Sequence, residues 1–170
     1  MHTETERKFL VKDNSYKNKA ASCLHMEQGY ISRAEGRTVR VRISGETAWL
    51  TIKGPSSNGL SRLEWEKEIP LQDAEDLMQL CTGGKIVKDR YLVPAETDGR
   101  TEEGHSVGNQ KDRFFEVDEF FGDNDGLTVA EIELGSEEET FIRPEWLGEE
   151  VTGDRRYYNS ELTRTPYKNW

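Results

Sequence analysis

The chain is poor in the residues that build covalent staples and histidine or thiolate metal centres. Its 170 residues include two cysteines, Cys23 and Cys81, and three histidines, His2, His25 and His105. The cysteines form no CxxC pair, which argues against a disulfide framework and a zinc site; the scattered histidines add no metal signature. Long apolar runs are also missing. The first apolar stretch is Phe9-Leu10-Val11, too short for a signal-peptide core or a membrane span. A reducing cytoplasm is the expected setting, with no membrane partner. Positive charge is in deficit: 23 Lys and Arg face 33 Asp and Glu, a formal net charge of −10. That disfavours nucleic acid or an anionic membrane as a partner. An anionic substrate would need a local basic pocket. No repeat and no low-complexity tract appears.

What is present is alternation. Glu4, Glu6 and Lys8 share one parity, followed by Arg40 and Arg42, Glu64 and Glu66, Lys88 and Arg90, Glu116 and Asp118, and Glu131 and Glu133. Side chains two apart on a strand point the same way. The intervening positions carry Leu63, Trp65, Phe115, Val117, Ala130 and Ile132, an apolar set that needs covering. Clear alternation and 9% aromatic residues argue against disorder although 33% of residues are charged. One domain over 1–170 is expected.

The pattern predicts strands near 3–12, 24–32, 36–44, 47–53, 60–69, 85–93, 110–121 and 127–134. Pro70 opens a helix over 70–81, with Leu71, Ala74, Leu77, Met78 and Cys81 at helical spacing. A polar connection spans 12–21, and 95–109 reads as a polar hairpin excursion. In the tail, Ser136 is expected to cap a short acidic helix to Ile142. Pro144 starts another at Pro144-Glu145-Trp146-Leu147, and a last helical turn covers Tyr158 to Leu162. The fold class is mainly β (α+β), and eight antiparallel strands can close into a barrel that holds one small ligand.

A charged strand face ordinarily meets solvent. Here, however, the charges are sorted by strand: Arg40 and Arg42 are both basic, Glu131 and Glu133 both acidic, and Lys53 ends another strand. A solvent face mixes signs to favour cross-strand pairs. Convergent faces would instead wall a cavity with cations and carboxylates. Crowded like charges inside it call for counter-charges: phosphate for the cations, and Mg²⁺ or Mn²⁺ for the carboxylates.

The ordered motifs extend this reading. Glu4-Thr5-Glu6-Arg7-Lys8, Glu27-Gln28-Gly29-Tyr30, Arg40-Val41-Arg42, Thr51-Ile52-Lys53 and Ser61-Arg62-Leu63-Glu64-Trp65-Glu66 are followed by Lys88-Asp89-Arg90-Tyr91 and Phe115-Glu116-Val117-Asp118. Glu131-Ile132-Glu133, Glu150-Val151-Thr152-Gly153-Asp154 and Arg156-Tyr157-Tyr158-Asn159 complete the set. Together they resemble the CYTH superfamily, the triphosphate tunnel metalloenzymes, in a compact bacterial single-domain form. The resemblance implies an eight-stranded antiparallel tunnel, a C-terminal plug helix, a triphosphate ligand and Mg²⁺ or Mn²⁺.

It also implies roles. Lys8, Arg40, Arg42, Lys53 and Arg90 are the candidate phosphate contacts, with Arg62 a weaker one; each taken alone could be a surface ion pair. Glu4, Glu6, Glu131 and Glu133 are the candidate metal ligands, which requires the first strand to neighbour a late one. Glu64, Glu66, Glu116 and Asp118 would hold the cations in place or complete a second metal site. Lys88 would neutralise the leaving oxygen or orient water. Tyr30 is either a proton acceptor or a rim aromatic with a hydrogen-bonded hydroxyl. Glu6, Lys88 and Tyr30 form the catalytic set.

The leading expectation is metal-assisted hydrolysis of a short triphosphate, inorganic tripolyphosphate first, because a linear polyanion needs only charges. Class IV adenylate cyclase, thiamine triphosphatase and a non-catalytic polyphosphate-binding module are the alternatives. The 96–109 excursion is expected to cover a rim, and a homodimer is admissible.

Overall fold

The computed structural model describes residues 5–34, 37–56, 62–96, 113–136 and 139–170, without the side chains of 5, 55, 56, 62 and 63. The strands are β1 (Thr5–Val11), β2 (Ser22–Ala34), β3 (Arg37–Ser44), β4 (Thr47–Ser56), β5 (Arg62–Ile69), β6 (Ile86–Pro94), β7 (Phe114–Phe121), β8 (Thr128–Leu134) and β9 (Leu147–Glu150). They form one antiparallel sheet in the order β5-β4-β3-β2-β6-β7-β8-β1-β9. The first strand thus lies beside a late one, with Glu6 opposite Glu133 and Lys8 opposite Glu131. β5 and β9 are the edges, and among the described residues the ladder does not close. The sheet curls nonetheless, because side chains from β5 at one edge and β1 near the other line one cavity.

The parity opposite the charges faces away from that cavity; it is covered in two places and left exposed at Ile52 of β4 and Trp65 of β5, and a third apolar cluster lies on the charged parity itself. Phe9, Val93, Phe115, Ala130 and Ile132 pack beneath the 3₁₀ segment Asn14–Lys19 and the stretch reaching Trp146. Ile86, Phe120 and Val129, which share the parity of the charges on β6, β7 and β8, instead close part of the charged face with Leu127 and with Val151, Tyr157 and Leu162 of the tail. Val41 and Ala48 meet Ala74 and Met78 of α1 (Leu71–Gln79). Ala74 and Met78 lie one turn apart, so α1 presents an apolar stripe to the sheet. α1 sits so close to β2 that a Cβ on Gly29 would lie 2.7 Å from Cys81 Sγ and 2.9 Å from Met78 Sδ. Only glycine fits there. Gly45, at φ 57°, supplies the left-handed residue of the β3–β4 hairpin turn. No described helix is long and apolar enough to cross a membrane.

The mainly β tunnel-like architecture matches the expectation, with departures at the ends. The described residues form nine strands rather than eight. No helix starts at Pro144-Glu145-Trp146-Leu147; Leu147–Glu150 instead forms β9 on the free edge of β1. No helix runs from Ser136 to Ile142 among the described residues either. Tertiary burial explains both departures. Phe141 meets Phe9 and Phe115, each with centroids 5.7 Å apart, and Trp146 meets Phe115 at 5.2 Å and Tyr16 at 5.8 Å. Residues five apart fall on different faces of a helix, so a non-helical path lets both rings reach Phe115. The C-terminal helix α2 (Asn159–Leu162) is a single turn.

Candidate active site

A cavity of about 1110 Å³ occupies the concave side of the sheet. Strand alternation aims the charges into it. β3 contributes Arg40 and Arg42, β4 Lys53, β5 Glu64 and Glu66, and β2 Tyr30. β6 adds Lys88 and Arg90, β7 Glu116, β8 Glu131 and Glu133, and β1 Glu6 and Lys8. Asp118 is buried against Lys88 and Arg90 instead of lining the space. Glu4, the side chain of Arg62 and residues 97–109 lie outside the described residues.

The β3–β4–β5 wall is loosely paired. Buried Thr51 donates to Glu66 Oε2 at 2.6 Å, and Arg40 Nη2 donates to Thr51 at 3.2 Å and to Glu66 at 3.3 Å. Arg42 Nη2 reaches the other oxygen of Glu66 at 3.4 Å. The two arginines therefore share one carboxylate through long contacts. The Nε groups of both are buried without a hydrogen-bond partner among the described residues. Burial, with Arg40's charge added, pulls Arg42 below its ordinary pKa. Burial alone would raise Glu66, but Thr51 and the two arginines outweigh it and lower it. Lys53 pairs with Glu64 at 2.8 Å.

The opposite wall is tightly paired. Asp118 accepts from Lys88 Nζ at 2.5 Å and from Arg90 Nε and Nη2, each at 2.7 Å. Arg90 also bonds Glu116 and lies 3.5 Å from Glu131. Glu131 in turn holds Lys8 at 2.6 Å, and Lys8 lies 3.6 Å from Glu6. Burial would raise Asp118, yet Arg90 and Lys88 hold its carboxyl down to about 2. Complete burial, reinforced by Arg90, pulls Lys88 below its ordinary value despite Asp118. Burial also works against charge on Lys8, but Glu131 and Glu6 more than offset it and raise its pKa.

Carboxylates crowd the same wall. Glu6 faces Glu133 and Glu116 faces Glu131 across their ladders, arrangements that cost stability without a counter-charge. Burial and then Glu131's charge raise Glu6; burial raises Glu116 despite Arg90. This all-oxygen donor set fits a hard divalent cation, which would relieve the repulsion. No three acidic, His or Cys side chains among the described residues already converge into a metal site. A cation held here would complete its shell with water and ligand oxygens, as Mg²⁺ characteristically does.

Several residues in or behind the lining carry no charge signal in the sequence. Thr51, which anchors Glu66, is fully buried behind the lining, between Arg40 and that acid. Thr152 accepts the backbone N–H of Lys8 at 3.0 Å, and the Tyr158 ring lies 5.2 Å from Lys8 Nζ. Asn159 and Ser160 also reach the cavity, as does Arg113, a charged residue outside the alternating motifs. Thr51, Thr152 and Tyr158 fall within the motifs quoted above, but only folding brings them to the charges.

Comparison with known proteins agrees with this architecture. The CYTH domain profile matches residues 2–166. A protein of Acetivibrio thermocellus named inorganic triphosphatase is 44% identical over 171 aligned positions, covering 100% of this chain and 99% of its own length. One of Nitrosomonas europaea with the same name is 34% identical, covering 94% of this chain and 96% of its own. A crystal structure described as that of an inorganic triphosphatase superposes with a TM-score of 0.64 at 31% identity, covering 96% of this chain and 95% of that one. A full-length profile match and two full-length relatives leave one assignment: the chain belongs to the CYTH domain family.

Proposed function

We propose that this protein hydrolyses a short triphosphate with the help of a divalent cation, and that inorganic tripolyphosphate is its substrate. The observation that carries the reading is the pair Arg40 and Arg42. Two guanidinium groups share one carboxylate through contacts of 3.3–3.4 Å and keep buried Nε donors without partners among the described residues. An uncompensated buried donor is costly, and a phosphate oxygen would satisfy it through a charge-assisted bond. The name carried by the two curated relatives supports the same substrate.

In this reading Arg40, Arg42 and Lys53 hold the polyanion from one side, with Arg62 joining from β5. Lys8 and Arg90 approach it from the other side. Glu6, Glu131 and Glu133, with Glu4 from the same stretch as Glu6, would hold the cation. Bound Mg²⁺ or Mn²⁺ would neutralise phosphate charge and polarise the attacking water. Lys88, held by Asp118, acts through its positive potential at the leaving oxygen. Tyr30 accepts from Gln28 Nε2 at 3.4 Å, which favours an anchored cavity phenol over a free proton acceptor.

The test is an incubation of the protein with tripolyphosphate, ATP or thiamine triphosphate, each with Mg²⁺ or Mn²⁺, and separation of the products. Pyrophosphate and orthophosphate from tripolyphosphate are expected, at the highest rate of the three substrates. Cyclic AMP as the main product would replace the hydrolase with a cyclase. Preference for thiamine triphosphate would reassign the substrate, and binding without turnover would indicate a non-catalytic module.

A further inference from the structure

Arg42 has no strong anionic partner. Its Nη2 lies 3.4 Å from Glu66, an oxygen pair it shares with Arg40, and its buried Nε is unpaired among the described residues. Ordering a long arginine costs side-chain entropy. What lies against it is an indole. Trp49 sits directly across the β3–β4 ladder from Arg42, and the guanidinium carbon is 5.1 Å from the ring centroid. Such a contact is within the range of a cation–π interaction, strongest for tryptophan and for a partly desolvated cation. Trp49 shares the inward parity of Thr51 and Lys53, yet it does not itself line the cavity. It therefore backs the arginine, leaving the donor groups to the ligand.

We infer that Trp49 is a positioning residue that holds the Arg42 guanidinium for the polyanion. The indole stabilises the unpaired cation without occupying its N–H donors, as a carboxylate would. The arginine stays ordered and undersatisfied until phosphate arrives. This inference rests on the triphosphate reading above and adds one element to it, a neutral aromatic support on the loosely paired wall. It also predicts an optical signal. When a phosphate oxygen draws on the guanidinium, the field at the Trp49 ring changes, and indole emission reports it.

Two measurements test the inference. First, steady-state kinetics with tripolyphosphate compare the unmodified protein with Trp49→Leu and Trp49→Phe. Trp49→Leu should raise KM about five- to tenfold while kcat stays within about twofold, and Trp49→Phe should recover most of the loss. Equal KM values in all three proteins, equal impairment of the Phe and Leu variants, or a fall in kcat alone would overturn it. Second, tryptophan emission is titrated with tripolyphosphate in the presence of a chelator, independently of turnover. A saturable change that disappears in Trp49→Phe supports the inference; a change that persists in that variant, or no change in the unmodified protein, opposes it. The second measurement decides the matter if Trp49→Leu fails to fold. If the unmodified protein neither binds nor hydrolyses tripolyphosphate, the functional reading itself fails, whereas normal hydrolysis with an unaltered KM in Trp49→Leu removes only the role of Trp49.

Discussion

The two walls of the cavity use the same residue types to opposite ends. On β6, β7, β8 and β1, every cation is matched: Asp118 takes Lys88 and Arg90, and Glu131 takes Lys8 and approaches Arg90. On β3, β4 and β5, Arg40 and Arg42 divide a single Glu66, and an indole and a threonine do the rest. The difference teaches that charge content alone does not identify a binding surface. A buried cation with full partners supports the fold as well as any ligand it meets, since breaking its pair leaves an uncompensated charge. A cation left short of partners is available to a ligand.

Removing a carboxylate from the tight wall should have the largest effect. Asp118→Ala leaves Lys88, 1% exposed, without its counter-ion, and should cost about 3–5 kcal/mol of stability in urea unfolding. The double change Lys88→Met with Asp118→Leu should cost less than that single change. If Asp118→Ala is as stable as the unmodified protein, the scaffold assignment is wrong. Removing a cation from the loose wall should instead spare the fold. Arg42→Ala is expected to raise KM for tripolyphosphate about 10- to 100-fold with unchanged circular dichroism. Lys8→Ala should both bind substrate poorly and lose stability, because Lys8 is buried and paired.

Glu131→Gln tests the metal-facing side. The Mg²⁺ or Mn²⁺ concentration for half-maximal activity should rise about five- to tenfold, and an unchanged metal titration would remove Glu131 from the site. The smallest effects are in the pH dependence of the fold. Asp118 and Glu150 both sit at about 2, Asp118 through Arg90 and Lys88 despite its burial, Glu150 chiefly through its hydrogen bond from Arg7. Because these folded values are depressed, their stabilisation is present above the ordinary carboxylate range and is lost as pH falls from about 4 through about 2. The thermal midpoint should drop over that window. Glu150→Gln should lower stability at neutral pH by only about 0.5–1 kcal/mol, since the Arg7 pair is a third exposed. A larger loss would place Glu150 with Asp118 in the scaffold.

The strands and the charged lining were legible because alternation is a local signal: Arg40 with Arg42, or Glu131 with Glu133, must share a face whatever the rest of the chain does. The helix at Leu71–Gln79 was legible for the same reason, from Ala74 and Met78 one turn apart. The segments around Phe141 and Trp146 misled, because their local helical cues compete with ring contacts to Phe9, Phe115 and Tyr16, partners distant in sequence that only packing brings near. Thr51, Thr152 and Trp49 carry no charge and so gave no sign of serving charged neighbours.

By itself, then, the order of residues determined which side chains look inward and that both signs of charge would meet there. Which cations are neutralised and which remain available was decided by strand neighbours. Arg90 lies opposite Asp118, whereas Arg42 lies opposite Trp49. Parity is set within a strand by backbone geometry, but cross-strand register depends on how distant segments pack, and ionic pairing follows register.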